Sequence, residues 1–218
     1  MCFSATASFT AGVLLSALGV ATLNKVVRKA EIPFAMIPLL FGVQQIIEGM
    51  LWLSFRFDAP LLNVTMTYAF TLFSHVLWPM FVPFSIGLVE KVAWRKRAVL
   101  AFQFIGIAVG LYLLYMLVKF PVTSEVDEHI VYVSPHFYQV PVMVLYLAAT
   151  CVGAFFSSHK MINIFGALAL LLFMVAYWFH AVAFFSIWCF FAAILSAVIY
   201  LHFTLGKRRT PDLVQSRA

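Results

Sequence analysis

Charge is scarce in this chain. Only 10% of its 218 residues are Asp, Glu, Lys or Arg, against about 25% in an ordinary soluble domain. Hydrophobic residues make up 64%, and the mean hydropathy is +1.02. Such a balance excludes a water-soluble core of the usual kind, because the long uncharged runs need hydrocarbon around them, and a spanning helix takes roughly 20 apolar residues. Cysteine is scarce as well. Cys2, Cys151 and Cys189 form no CxxC pair, which excludes a zinc finger or a disulfide framework; Cys151 and Cys189 read as small residues inside apolar runs. No basic residues precede the first apolar run, whereas Lys25, Arg28 and Lys29 follow it, so it is expected to remain as a helix rather than be cleaved as a signal peptide. There is no internal repeat of the kind an inverted-repeat transporter carries. The net charge of +6 does not point to nucleic acid, because the basic residues sit in short clusters between apolar runs.

What is present is a succession of apolar runs. They predict an all-α bundle of seven transmembrane helices at about Phe3–Leu23, Pro33–Leu53, Asn63–Leu88, Ala98–Val118, Pro141–Phe156, Met161–Ala181 and Phe184–Leu205. Residues 1–206 then form one domain and 207–218 a basic tail. Lys and Arg follow the first, third, fifth and seventh runs, at Lys25, Arg28 and Lys29, at Lys91 and 95–97, at Lys160, and at 207–209. The opposite loops hold only Arg56 and Lys119 as basic residues, and they contain Asp58, Glu125, Asp127 and Glu128. Because cytoplasmic loops are enriched in basic residues, the N-terminus is expected outside and the C-terminus inside. The longest loop, about 119–140, is then external, and the alternation around His129-Ile-Val-Tyr-Val predicts a short hairpin or lid.

Glu48 is the one charged residue placed inside a span, and an ionisable group in hydrocarbon is a functional candidate by default. Gln44, Gln45, Glu48 and Trp52 share a helical face, and the third span offers Tyr68, Thr71, His75 and Trp78. The sixth offers Tyr177 and His180. At about 1.5 Å rise per residue, Glu48 lies roughly 8 Å below the outer surface and His180 roughly 5 Å, with His75 nearer mid-membrane. Glu48, His75 and Tyr177 are the candidate catalytic groups. Glu48, His75, His180 and Cys2 are the candidate ligands of zinc or another transition metal, which would activate water. Cys2 enters because removal of Met1 would leave a free amine beside its thiol. The competing reading is a buried hydrogen-bond network that holds the bundle together. Gly106-Ile-Ala-Val-Gly110 reads as close helix packing.

The opening Met1-Cys2-Phe3-Ser4-Ala5-Thr6-Ala7-Ser8-Phe9, with Gln44-Gln45-Ile46-Ile47-Glu48-Gly49 and His75-Val76-Leu77-Trp78-Pro79, resembles an uncharacterised family of short bacterial membrane proteins. That resemblance implies the bacterial inner membrane. Thr71-Leu-Phe-Ser-His75 is also similar to the Ser-x-x-x-His element of the heptahelical membrane metallohydrolases, the alkaline ceramidase and adiponectin-receptor-like proteins, although their last-helix HxxxH is missing. The expectation is a membrane-embedded, metal-dependent hydrolase working on a lipid or amphipathic substrate in an outward-facing polar pocket. The alternative is a non-enzymatic heptahelical protein that binds or transports a ligand, or an accessory subunit with a membrane-protein partner.

Overall fold

The computed structural model describes residues 4–126, 129–133, 139–179 and 191–208. Among these residues the chain forms seven helical segments: α1 (Ala5–Leu23), α2 (Ile32–Arg56), α3 (Pro60–Val89), α4 (Ala93–Lys119), α5 (Val140–Thr150, continued by the 3-10 turn Val152–Phe156), α6 (Lys160–Phe179) and α7 (Ala192–Arg208). Ala5–Leu23, Lys29–Arg56, Pro60–Val89, Ala93–Lys119 and Lys160–Trp178 are long and apolar enough to cross a membrane, while Val140–Phe156 and Ile194–Leu205 are shorter apolar helices. The first six segments follow the expected runs; the expected start of the seventh, at Phe184, lies outside the described residues.

Local chemistry sets the helix starts. Ser4 is extended and its hydroxyl accepts a hydrogen bond from the Ala7 N–H at 3.3 Å, capping α1. Pro60 opens α3, where a missing N–H removes nothing from the helix. Helices α1 and α2 then pack antiparallel at close range. A Cβ on Gly19 would stand 2.6 Å from the Leu39 backbone nitrogen, so only glycine allows that approach. Phe34, Ile37, Ile86, Leu113, Tyr146, Ile162 and Ile199 fill the main core.

α3 is not one regular helix. Pro60–Thr71 and Trp78–Val89 are α-helical, but Leu72–Leu77 between them is a π-helix, and the Trp78 N–H reaches back to the Phe73 carbonyl. Two prolines follow, and each leaves a carbonyl without its helical donor. In the π pattern the partner of the Ser74 carbonyl would be the nitrogen of Pro79, which has no hydrogen. The Tyr146 hydroxyl of α5 takes its place, donating to Ser74 O at 2.5 Å. Pro83 likewise frees the Pro79 carbonyl, and α4 lies directly on it at Gly106, where any Cβ would collide with that oxygen. The Gly106–Gly110 pattern is thus packing, in keeping with the sequence.

Two features close the ends. At one, the strands β1 (Thr123–Val126) and β2 (Ile130–Val133) pair antiparallel with Ser124 opposite Tyr132. This hairpin lies on α2 and α3: Ile130 and Tyr132 are buried with Leu51 and Phe70, and the Tyr132 and Phe70 rings stack 4.3 Å apart at 2°. The Thr67 and Ser124 hydroxyls meet at 2.7 Å, and Ser124 also donates to Asn63 Oδ1 at 3.3 Å. At the opposite end, buried Glu90 ties the α3–α4 turn to the α5–α6 turn. It accepts from the N–H groups of Lys91 (2.9 Å), Val92 (2.8 Å) and Ser158 (2.6 Å), and from the hydroxyls of Ser157 (3.2 Å) and Ser158 (2.9 Å). Arg95 adds a bond to the Ser157 carbonyl at 2.8 Å.

Candidate functional site

Between those ends lies a polar core inside apolar helices. Helical periodicity turns Gln44, Gln45 and Glu48 inward from α2, and all three are buried, Glu48 completely (0% exposed). Thr71, Ser74, His75 and Trp78 are buried on α3. The two stripes found in the sequence do meet. Trp78 Nε1 donates to Gln44 Oε1 at 2.8 Å while its ring stacks on Phe41, centroids 4.1 Å apart. Gln45 Nε2 donates to Glu48 Oε2 at 3.3 Å. A charged or amide side chain placed here must be hydrogen-bonded, since an unsatisfied buried polar atom costs about 1–3 kcal/mol.

His75 sits within the π-segment, with Nδ1 and the Ser74 hydroxyl 2.8 Å apart. Single π turns inside α-helices recur at functional sites, because the extra residue re-aims the side chains that follow. Ser74 can also donate to the Thr71 carbonyl, at the longer distance of 3.4 Å. On its other side, Ser74 lines a cavity of about 40 Å³ that reaches between α3, α5, α6 and α7. Ser74 and Tyr146 were not singled out in the sequence, and both belong to this core. Two buried donors, Ser8 Oγ on α1 and Trp52 Nε1 on α2, have no hydrogen-bond partner among the described residues.

The remaining sequence candidates, and the other histidines of the chain, are placed differently. Tyr177 is 44% exposed on α6, stacked on Phe173 at 5.9 Å. Cys2, His180 and His136 lie outside the described residues. His129 is buried at the hairpin turn. His159 and His202 pair edge to face at 5.3 Å at the opposite end of the bundle. Among the described residues no three His, Cys, Asp or Glu side chains are grouped so as to hold a metal ion, and two of the four expected ligands are outside that set.

Fold and core together define a helical protein with several apolar helices of membrane-spanning length and a buried polar site that holds Gln44, Gln45, Glu48, Ser74 and His75. By sequence it belongs to the family described as "Family of unknown function (DUF6629)", whose model matches residues 1–216. No curated protein and no solved structure matches the chain.

Proposed function

We propose that this is a seven-span protein of the bacterial inner membrane, N-terminus outside and C-terminus cytoplasmic, that hydrolyses a lipid or amphipathic substrate in the polar core. Large apolar side chains exposed on the helix surfaces, among them Leu14, Phe104, Leu111, Val144 and Met174, suit contact with lipid. Lys25, Lys91, Lys96, Arg97 and Lys160 gather at the Glu90 end, and Asp58 and Glu125 at the hairpin end, which supports the orientation. Reporter fusions after Arg97 should read cytoplasmic and one in the Glu125–His136 loop external; a cytoplasmic reading for that loop would overturn the topology.

The observation that carries the chemistry is the full burial of Glu48 on α2, with buried His75 in the π-segment of α3, the helix that α2 joins through the Trp78–Gln44 bond. Glu48 and His75 are the acid/base pair of this reading, and in its metal-dependent form they ligate zinc or another transition metal together with His180 and Cys2. The test uses purified full-length protein in lipid nanodiscs, with elemental analysis and turnover of amphipathic esters. Turnover that falls with chelation supports the metal form; turnover unchanged by chelation removes the metal and keeps the acid/base pair. No turnover of any ester overturns the hydrolase. The bond between Gln45 and Glu48 also suits a non-enzymatic ligand-binding or transport protein, or an accessory subunit, and ligand-dependent stabilisation without turnover would select that class.

A further inference from the structure

The end of the bundle tied by Glu90 gathers more positive charge than its own carboxylates neutralise. Three turns converge there. Glu90 draws the α3–α4 turn onto the α5–α6 turn through Ser157 and Ser158, and the turn Lys29–Glu31 packs on the Trp78–Val89 half of α3. Lys29, Lys91, Lys96, Arg97 and Lys160 are exposed on these turns and at the start of α4, and none has an ion-pair partner among the described residues. The described carboxylates at this end are both engaged, Glu31 with Arg28 at 2.7 Å and Glu90 with its backbone and serine donors. Unpaired like charges repel one another, and an anion placed among them relieves the repulsion.

On α4 these cations stand above an apolar surface. Residues 98–118 carry no charge, about the length that crosses the hydrocarbon of a bilayer, so residues 94–97 stand at headgroup depth. Trp94 is 58% exposed, with the Arg95 guanidinium 4.8 Å from its ring centroid, at the level where tryptophan anchors a helix to the membrane boundary. From exposed Arg97 a line of exposed side chains continues through Leu100, Phe104, Leu111 and Tyr115, at helical spacing and hence on one face. We propose that this face of α4 binds an anionic phospholipid, with the phosphate between Lys96 and Arg97 and an acyl chain along Leu100 and Phe104. The proposal rests on the membrane-spanning reading and adds a lipid class; it is independent of hydrolysis. Arginine matches the paired oxygens of a phosphate with its forked donors. Each cation near an anionic lipid headgroup adds to the attraction, whereas a zwitterionic headgroup brings a cation of its own against them.

The test titrates the purified full chain, in non-ionic detergent, with phosphatidylglycerol or with phosphatidylcholine of the same acyl chains, and counts bound lipid by native mass spectrometry. Phosphatidylglycerol should bind about tenfold more tightly. Lys96→Gln/Arg97→Gln should bring the two lipids within about twofold of each other, whereas Arg56→Gln/Lys119→Gln at the hairpin end should keep the preference. All four positions are exposed, so both variants should melt as wild type does. Soluble glycerophosphoglycerol, which has the headgroup without the chains, should not compete at equal concentration. Equal binding of the two lipids overturns the proposal and leaves the membrane spans standing. A preference that persists in Lys96→Gln/Arg97→Gln, or that disappears equally in the hairpin-end variant, overturns the placement on α4. Competition by glycerophosphoglycerol overturns the lipid in favour of a soluble phosphate ester. A chain that stays monodisperse in water without detergent overturns the spans, and the lipid with them.

Discussion

Among the described residues two carboxylates are buried, Glu48 and Glu90, in opposite surroundings. Glu90 sits where two turns meet and takes three backbone N–H groups and two serine hydroxyls within 3.2 Å. Those donors belong to residues fixed by the fold, so the carboxylate acts as a permanent joint between α3–α4 and α5–α6. Glu48 lies mid-helix, with a longer bond of 3.3 Å from the side-chain amide of Gln45 and a histidine-bearing π-segment on the neighbouring helix. A side-chain amide can rotate and re-pair, which a turn backbone cannot. Burial alone therefore does not distinguish a joint from a working group; substitution at the two positions does.

The comparison predicts that stability is concentrated in the scaffold. The largest loss is expected at Gly106→Ala, because the new methyl group lands on the Pro79 carbonyl, a backbone oxygen that cannot swing aside. Thermal unfolding should show a loss of about 3 kcal/mol, the upper end for overpacking. Gly87→Ala, whose Cβ would stand at 3.6 Å from Val99, should change little. A Gly106→Ala protein as stable as Gly87→Ala would mean that α4 does not rest on the Pro79 carbonyl.

Glu90→Gln comes next, at about 2 kcal/mol, because an amide nitrogen must then face N–H or hydroxyl donors. Burial pushes the Glu90 carboxyl up, but the bonds from Ser158, Val92 and Ser157 outweigh it and hold the group below its ordinary value of 4.5. A carboxylate with a lowered folded pKa contributes stability that is fully present above the unfolded value and disappears as pH falls through the folded one. Wild type should therefore lose this increment on acidification below about pH 4.5, and Glu90→Gln should not. Parallel acid melting curves for the two proteins would refute the joint.

These contrasts also show what was legible beforehand. Apolar run length located the helices, and the alternation of Ile130, Val131, Tyr132 and Val133 located the hairpin, whose Ile130 and Tyr132 face the bundle. The pairing of the α2 and α3 stripes was visible too, and the Trp78–Gln44 bond joins them. The π-segment was not visible, because Pro79 and Pro83 announce a break in the ladder without saying whether it becomes a kink or a bulge. Neighbouring side chains on an α-helix point apart, so spacing did not pair Ser74 with His75. Glu90 was hidden among basic loop residues, its serine partners lying 67 and 68 positions away.

A smaller effect is expected where the two stripes join. Trp78→Phe keeps the ring stacked on Phe41 and removes the Nε1–H bond to Gln44, so it should lower stability by about 1 kcal/mol. If that bond also positions the polar core, ester turnover should fall by more than stability does. Equal turnover in the two proteins would confine the bond to packing.

The smallest stability change is expected at the residue with the largest expected role. Glu48→Gln preserves the volume and one acceptor for the Gln45 amide, and removes only the ionisable group, so the melting temperature should shift by the equivalent of about 0.5 kcal/mol or less, in either direction. Glu48→Ala, which also leaves an empty space and an unpaired Gln45 amide, should lose about 2 kcal/mol. Turnover should be lost in both. A joint of the Glu90 kind shows the reverse ratio, with stability falling and any activity following it in proportion. The measurement is therefore a pair, melting temperature and ester turnover, made on Glu48→Gln and Glu90→Gln side by side. Wild-type turnover in a stably folded Glu48→Gln protein would make the two carboxylates alike, and the catalytic reading of the polar core would fall with the distinction.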